Sequence, residues 1–441
     1  MIREINRHIL AEIRNIAFSN YASKYLDVYD DFMKQVEGTG LEISQDDHLD
    51  QVAALYSRLN EKGAILRNDG KSIYINHISP ACVACRESIG SATFFISLQC
   101  NRDCYFCFNP NQEHYDNFTK NKRNLTQELD QIKENGHQIH HLALTGGEPL
   151  IHMEESIDFF QHAKENFPDA HSRLYTSGDF LDKDSLQQFK DTGLEEIRFS
   201  IRLQDGEKGI QETLEKISFS KDFISSVMVE MPVLPHTLDT MKKVLLELDD
   251  LEINGVNLLE FCFPYYNAKV FRNKGFKIKN SPCRILYDYW YAGGLPIAGS
   301  EIECLQLLEF ALDKNLGIGI HYCSLENKHT GQIYQQNFGK KVPSRVYFSE
   351  KDFFFKTGKV FGDDIKRVQR RFNSLGKYEC FLDTDLNYLE FHVNKIPLLQ
   401  EMNLEVGISS AVIEQRDDGE CLRELKVELV YPETFQLEID V

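Results

Sequence analysis

Apolar and polar residues follow three different rhythms along this chain. In the first stretch, Ile2, Ile5, Ile9, Ile13 and Ile16 recur at helical spacing and make one apolar face, so residues 1 to about 60 are expected to be helical. A hairpin should follow. Ala64-Ile65-Leu66-Arg67 and Ser72-Ile73-Tyr74-Ile75 flank Asn68-Asp69-Gly70, a strong turn signal.

From about 92 to 262 the pattern changes. Candidate strands at 93–98, 140–145, 172–176, 196–202, 226–233 and 255–262 alternate with helical patterns such as Ile210, Leu214, Ile217 and Met241, Leu245, Leu248. Strands alternating with helices imply parallel pairing and an α/β fold. Six such units suit an open, partial (β/α)6 barrel better than a closed eight-fold ring, and in such folds sites collect at the carboxyl ends of strands. A further helix is expected over 300–316, with Ser300 and Glu303 as a capping box, followed by a short strand 317–322 and Cys323. Beyond about 340 the strand–helix rhythm is lost. The expected organisation is an N-terminal helical and hairpin extension (1–90), the barrel (91–265), a helical, cysteine-containing extension (266–340) and a C-terminal α+β unit (341–441).

Composition narrows the function. The 441 residues exceed one ordinary core and suggest two or three units. Apolar content of 42% with 27% charged residues is that of a soluble globular protein. No apolar run approaches the roughly 18 residues a membrane helix needs, and the N-terminus has no apolar signal core. A cytoplasmic protein without a membrane partner is therefore expected. A net charge of −19 argues against general nucleic-acid binding, which depends on neutralising phosphates. Eleven cysteines are many for a chain without an export signal, and five of them lie between Cys82 and Cys107. In a reducing compartment such clusters more often bind metal or do chemistry than form disulfides.

Cys100, Cys104 and Cys107 are spaced three and two residues apart, at the carboxyl end of the strand Thr93 to Leu98. Thiolates at this spacing can hold three irons of one [4Fe–4S] cubane and leave the fourth open. A zinc knuckle or three unrelated core cysteines would share the spacing. Phe106 precedes the last cysteine. About 40 residues further on, the next strand ends in Thr145-Gly146-Gly147-Glu148-Pro149, where the glycines let the backbone approach a partner closely.

Together these motifs resemble the radical S-adenosylmethionine (SAM) superfamily over roughly residues 90–265. The resemblance implies that the open iron chelates the amino and carboxylate groups of SAM. An electron from the cluster then breaks the sulfonium C–S bond and releases a 5′-deoxyadenosyl radical. It implies that Gly146, Gly147 and Glu148 bind the methionine amino group. Ser177, in Tyr175-Thr176-Ser177-Gly178, stands where the family has an asparagine. Ser200 and Arg202 match a serine and a basic residue that the family sets against the SAM ribose and carboxylate.

Cys82-Val83-Ala84-Cys85 has the spacing of half a four-cysteine site for iron or zinc. The other half must come from Cys262, Cys283, Cys304, Cys323, Cys380 or Cys421; Cys323 with Cys304 is expected to supply it, Cys283 being the competitor for the fourth place. A mononuclear ion and a second cluster would need the same four thiolates. The segment Cys107-Phe108-Asn109-Pro110-Asn111-Gln112-Glu113-His114-Tyr115 is similar to the loop after the cluster in the methanogenesis-marker radical SAM enzymes, which methylate a protein arginine. That group has an extra four-cysteine iron site, uses cobalamin and can ligate its open iron with a loop tyrosine, which Tyr115 would match. The Asp-x-His-x-x-Gly pattern of many cobalamin domains is absent here.

The expected activity is therefore reductive SAM cleavage that modifies a peptide or protein side chain, with C-methylation as one form. An electron donor such as flavodoxin or ferredoxin is the expected partner. A radical SAM enzyme acting on a small metabolite, or an iron–sulfur scaffold that binds SAM without turnover, fits the same motifs.

Overall fold

The computed structural model describes residues 2–441 except 88–89, 281–293, 377 and 417–418. Its described residues divide into two compact units, residues 2–40 with 330–441, and residues 41–280 with 294–329.

The larger unit is built on a nine-stranded sheet. Six parallel strands run in chain order across it: Ser91–Phe95, His141–Thr145, His171–Thr176, Glu196–Phe199, Ser226–Val233 and Gly255–Glu260. Gly319–Cys323 adds a seventh parallel strand beside the sixth, in the register Asn257 to His321. The hairpin Ile65–Arg67 and Ser72–Ile75 then extends the sheet antiparallel, Ile75 facing Ile320. Its turn uses left-handed backbone at Asn68, Asp69 and Gly70, with φ of 52°, 55° and 82°. The sheet remains open, as a partial barrel of α/β class. One face of the strands carries Leu142, Leu144, Leu174, Ile197, Val227, Val229, Val256 and Leu258, which form a continuous core with the surrounding helices. Side chains alternate along a strand, so Arg198, Glu230, Asn257 and His321 project to the opposite, inner face.

Two expectations fail locally. The isoleucine-rich N-terminus is not one helix. Asn6 accepts hydrogen bonds from the backbone N–H groups of His8 and Ile9, and Asn15 accepts one from Phe18, so each asparagine starts a separate helix, Arg7–Glu12 and Ile16–Gly38. Ser300 and Glu303 form no capping box. Helix Ser300–Lys314 begins after Gly299 at φ 90°. The Ser300 hydroxyl bridges strands instead, donating to the Val233 carbonyl at 2.8 Å and accepting from the Phe261 N–H at 2.8 Å. Glu303 accepts from the backbone N–H groups of His236 and Thr237.

The smaller unit is α+β. Its antiparallel sheet takes the order Arg3–Glu4, Gly419–Val430, Val406–Arg416, Phe355–Phe361, Tyr388–Phe391, Cys380–Asp383, with Tyr347–Phe348 paired to Phe355–Phe361. Helix Asp364–Leu375 packs Ile365, Val368 and Phe372 against Leu389, Phe391 and Val406. Among the described residues no helix is long and apolar enough to cross a membrane.

Candidate active site

The loop holding Cys100, Cys104 and Cys107 leaves the carboxyl end of the first parallel strand and is tied to the ends of its neighbours. The Glu148 N–H donates to the Gln99 carbonyl at 2.7 Å, and the Gly147 N–H to the Ser97 carbonyl at 3.2 Å. Asn109 Nδ2 donates to the Gly146 carbonyl at 2.6 Å. From the sixth strand's exit, the Tyr266 hydroxyl donates to the Cys107 carbonyl, and Asn267 Nδ2 to the Tyr105 carbonyl at 3.0 Å. Phe106 meets Phe261 edge to face at 5.6 Å, a favoured aromatic geometry that anchors the loop from below. Sequence and fold thus bring Cys100, Cys104, Cys107, Phe106, Gly146, Gly147 and Glu148 together at the mouth of the barrel.

The glycines are required by a close approach within the chain itself. A Cβ on Gly147 would stand 1.8 Å from the Gln99 carbonyl oxygen, and one on Gly146 2.7 Å from the Ser97 carbonyl oxygen. Their close approach is to the backbone that leads into the cysteine loop. Glu148 is buried and its carboxylate accepts from the Thr176 hydroxyl and the Ser177 N–H, both at 2.7 Å. It clasps the end of the third strand to the end of the second. Ser177 therefore contributes its backbone here, and its hydroxyl lies toward the Asp179 N–H at 3.4 Å.

The fourth strand ends before Ser200, whose N–H donates to the Thr176 carbonyl at 3.1 Å and whose surface is exposed. Arg202 pairs with Asp205 at 3.0 Å, and its Nε is buried without a hydrogen-bond partner. It lies in the field of Cys100 and Cys104. Tyr115 opens the short helix Tyr115–Phe118, and its phenol is held above its usual range by burial and then by Cys107 and Cys100 beside it. Burial pushes the Cys107 thiol up to about 11 and raises those of Cys100 and Cys104.

The second cysteine group lies inside the barrel. The segment before the first parallel strand crosses the amino ends of the strands, where the Ser79 hydroxyl donates to Glu196 at 2.7 Å. Helix Pro80–Ala84 then directs Cys82 inward. Its sulfur accepts from Arg198 Nη2 at 3.4 Å and from Asn257 Nδ2 at 3.2 Å. These partners belong to a polar chain. Glu230 accepts from Arg198 at 2.6 Å and Asn257 at 2.8 Å, Asn257 meets His321 at 3.1 Å, and His321 meets Ser72 at 2.9 Å. Burial pushes the Cys82 thiol up, but Arg198 and His321 outweigh it and bring it down to about 6.

Cys85 lies in the field of Cys82, and Cys323 in the fields of both. Lys328 is the charged neighbour common to Cys85, Cys262 and Cys323, and it stays above its usual range because these groups and Glu230 outweigh its burial. Cys262 is the member that sequence reasoning left among its six candidates without choosing it. It sits two residues beyond the sixth strand, a position no spacing singles out. Cys304 is not brought to this group. It is buried on the helix-facing side of the sheet beside Glu260 and Glu301, with Leu305, Leu307 and Leu308. Cys283 lies outside the described residues. Among the described residues, no three His, Cys, Asp or Glu side chains converge closely enough to hold a metal as they stand.

Three thiols on one loop, with an arginine offering an unsatisfied N–H beside them, are residues of the kind that could hold an iron–sulfur cluster and an anionic ligand. Comparison with known proteins agrees. Residues 95–248 match the model of the radical SAM superfamily. A Methanocaldococcus jannaschii protein named as a glycyl-radical enzyme activating enzyme is 26% identical over 249 residues, 54% of this chain and 62% of that relative. Streptococcus suis SuiB bound to its precursor peptide SuiA superposes with a TM-score of 0.33 at 11% identity, over 56% of this chain and 53% of its own. The Kitasatospora setae radical SAM methyltransferase TsrM gives 0.33 at 16% identity, over 44% of this chain and 40% of its own. The residues matched by the family model span the cysteine loop, the Gly-Gly-Glu-Pro turn and the second to fifth parallel strands, and over that third of its length the chain is similar to the radical SAM superfamily.

Proposed function

We propose that this protein reductively cleaves SAM to modify a side chain of a peptide or protein. The observation that carries the reading is the joining of the two motifs at the barrel mouth, where the Gly147 and Glu148 N–H groups bond the carbonyls leading into the cysteine loop. Cys100, Cys104 and Cys107 would hold a [4Fe–4S] cluster, which supplies the electron that splits the SAM sulfonium bond. Arg202 offers a guanidinium for the SAM carboxylate, as arginine's planar fork suits that group. The Phe106, Phe261 and Phe271 rings pack beneath the loop and exclude water from one side of it.

The reading is tested by anaerobic reconstitution, dithionite or reduced flavodoxin, and product analysis. 5′-Deoxyadenosine supports it, and S-adenosylhomocysteine in addition supports C-methylation, with cobalamin as the added requirement to examine. SAM bound but never cleaved would leave a scaffold and overturn it. A peptide or protein substrate is favoured over a metabolite by the likeness to the activating enzyme, whose name implies a protein partner.

The interior cysteines support a second, structural role. Cys85, Cys323 and Cys262 lie in the field of Lys328, and Cys85 and Cys323 also lie in the field of Cys82, with Arg198 and Arg173 nearby. Four thiolates on a divalent ion carry net negative charge, and these cations would offset it in a site shielded from water. An iron or zinc ion held there would tie the segment before the barrel to the seventh strand.

A further inference from the structure

Arg102 lies between the first two cysteines of the loop and is not a ligand type. Its guanidinium nevertheless joins three strand ends. Nε and Nη2 grip both oxygens of Asp179, after the third strand, and Nη1 donates to Asp205 Oδ2 at 2.6 Å, after the fourth. Asn101 Nδ2 donates to the same Asp179 at 2.6 Å. Asp205 is shared. Its other oxygen, Oδ1, pairs with Arg202 Nη2 at 3.0 Å. The result is an alternating line, Asp179, Arg102, Asp205, Arg202, in which each guanidinium receives one oxygen of Asp205 and neither takes both. Arg202 Nε remains buried and without a partner.

A carboxylate facing one arginine alone tends to bind it fork to fork, through two parallel hydrogen bonds. Arg102 prevents that. It occupies half of Asp205 and so leaves part of the Arg202 fork free at the barrel mouth. The Arg102 N–H also lies toward Cys100 Sγ at 3.4 Å, so one residue touches both the cysteine loop and the arginine pair.

We propose that Arg102 is a positioning residue that holds Asp205 away from a two-point bond with Arg202, keeping Arg202 available to the carboxylate of SAM. The inference rests on the SAM-binding reading above. Without Arg102, Asp205 turns both oxygens to Arg202 and competes with the ligand. Replacing Asp205 as well removes the competitor.

The test measures SAM binding to anaerobically reconstituted full-length protein by equilibrium dialysis, with iron content and Tm recorded for each variant. Arg102→Ala should weaken SAM binding about tenfold, equivalent to about 1.4 kcal/mol. Adding Asp205→Asn in the same chain should restore most of that loss. Arg102→Lys, which keeps the charge but cannot grip two aspartates, should fall between, and it serves if the alanine variant loses its iron. Rescue separates this role from simple loosening of the loop, because a second lost contact cannot tighten a loop. Wild-type affinity in both Arg102 variants, or no recovery in the double variant at equal iron content, overturns the proposal. Failure of the wild-type protein itself to bind SAM overturns the site reading, and the Arg102 role with it.

Discussion

The cysteines of loop 100–107 and those around Cys82 occupy the same unit but opposite surroundings. Cys100 is exposed and Cys104 and Cys107 are half-buried on a loop. Burial raises all three thiols, and it is opposed incompletely, by Arg102 and Arg202 at Cys100 and Cys104 and by the Asn109 N–H at Cys107. Cys82 projects from a helix into a barrel lined by Arg198, Asn257 and His321, and there the cations prevail over burial. The loop is positioned by backbone hydrogen bonds to neighbouring strand ends, and it presents its sulfurs outward to a ligand that arrives. The interior group is positioned by side-chain charges. Two close cysteine groups in one unit thus differ in what compensates the thiolate, and the proposed roles, turnover at the loop and closure at the interior, rest on that difference.

The strongest way to break this contrast is to remove the loop thiols. Cys100→Ala with Cys104→Ala and Cys107→Ala should abolish SAM cleavage and remove about four irons per chain, while any metal at the interior cysteines is retained. Full activity in that triple variant would end the assignment. Next in size is Gly147→Val. Its Cβ would overlap the Gln99 carbonyl, which is backbone and cannot rotate away. We expect lost cluster iron together with about 1–3 kcal/mol of stability, the usual penalty of overpacking. Weak SAM binding with a fully loaded cluster would mean instead that the glycine faces the ligand.

Cys82→Ala with Cys85→Ala should lower metal content and Tm while the loop still loads its cluster. Metal content equal to the parent's would show that these cysteines bind nothing, and the interior group would then be a packed set of thiols.

The charge scaffold of that interior can be probed apart from its sulfurs. Glu196 is fully buried, and burial would raise its carboxyl, but His171, Arg198 and Ser79 outweigh this and hold it at about 2 against an ordinary 4.5. A depressed carboxyl stabilises the fold above its unfolded value. The contribution, about 3 kcal/mol from that shift, is present above pH 4.5 and is lost as pH falls toward 2. Glu196→Gln should cost about that much at pH 7, read by urea unfolding. The gap to the parent should narrow through the same acid window. A gap independent of pH would assign the loss to packing rather than charge.

These contrasts also show where the sequence was legible. The parallel strands were found to within a few residues, because alternating strands and helices leave a pattern that survives any detail of packing. The cysteine loop and Gly-Gly-Glu-Pro were legible as chemistry, yet the physical role of Gly147 was not. Its partner, the Gln99 carbonyl, is a tertiary neighbour with no mark in the local sequence. The same holds for Asp179 and Asp205, brought to Arg102 across 77 and 103 residues. For Cys304 the apolar face of its helix already pointed to a core role, and the ligand expectation needed the thiol to project inward instead. That face packs against the outer side of the sheet, so the thiol is core. Periodicity likewise misled at the N-terminus, where Asn6 and Asn15 cap separate helices and outweigh the isoleucine spacing.

The smallest expected effect tests the rim of the outward-facing group. Tyr115 is partly exposed at the start of a short helix, with its phenol in the field of Cys107 and Cys100. Its hydroxyl is not part of a buried network, so Tyr115→Phe should alter stability by no more than about 0.5 kcal/mol, as surface changes do. Iron content should be unchanged, because the three cysteines hold the cluster without it. If the phenol oxygen reaches the fourth iron when SAM is absent, the electron paramagnetic resonance spectrum of the reduced, SAM-free protein should shift in the variant. Addition of SAM, which takes the same position, should bring the two spectra together. Identical spectra before SAM would place Tyr115 outside the cluster's ligands, and the outward group would then consist of its cysteines and Arg202 alone.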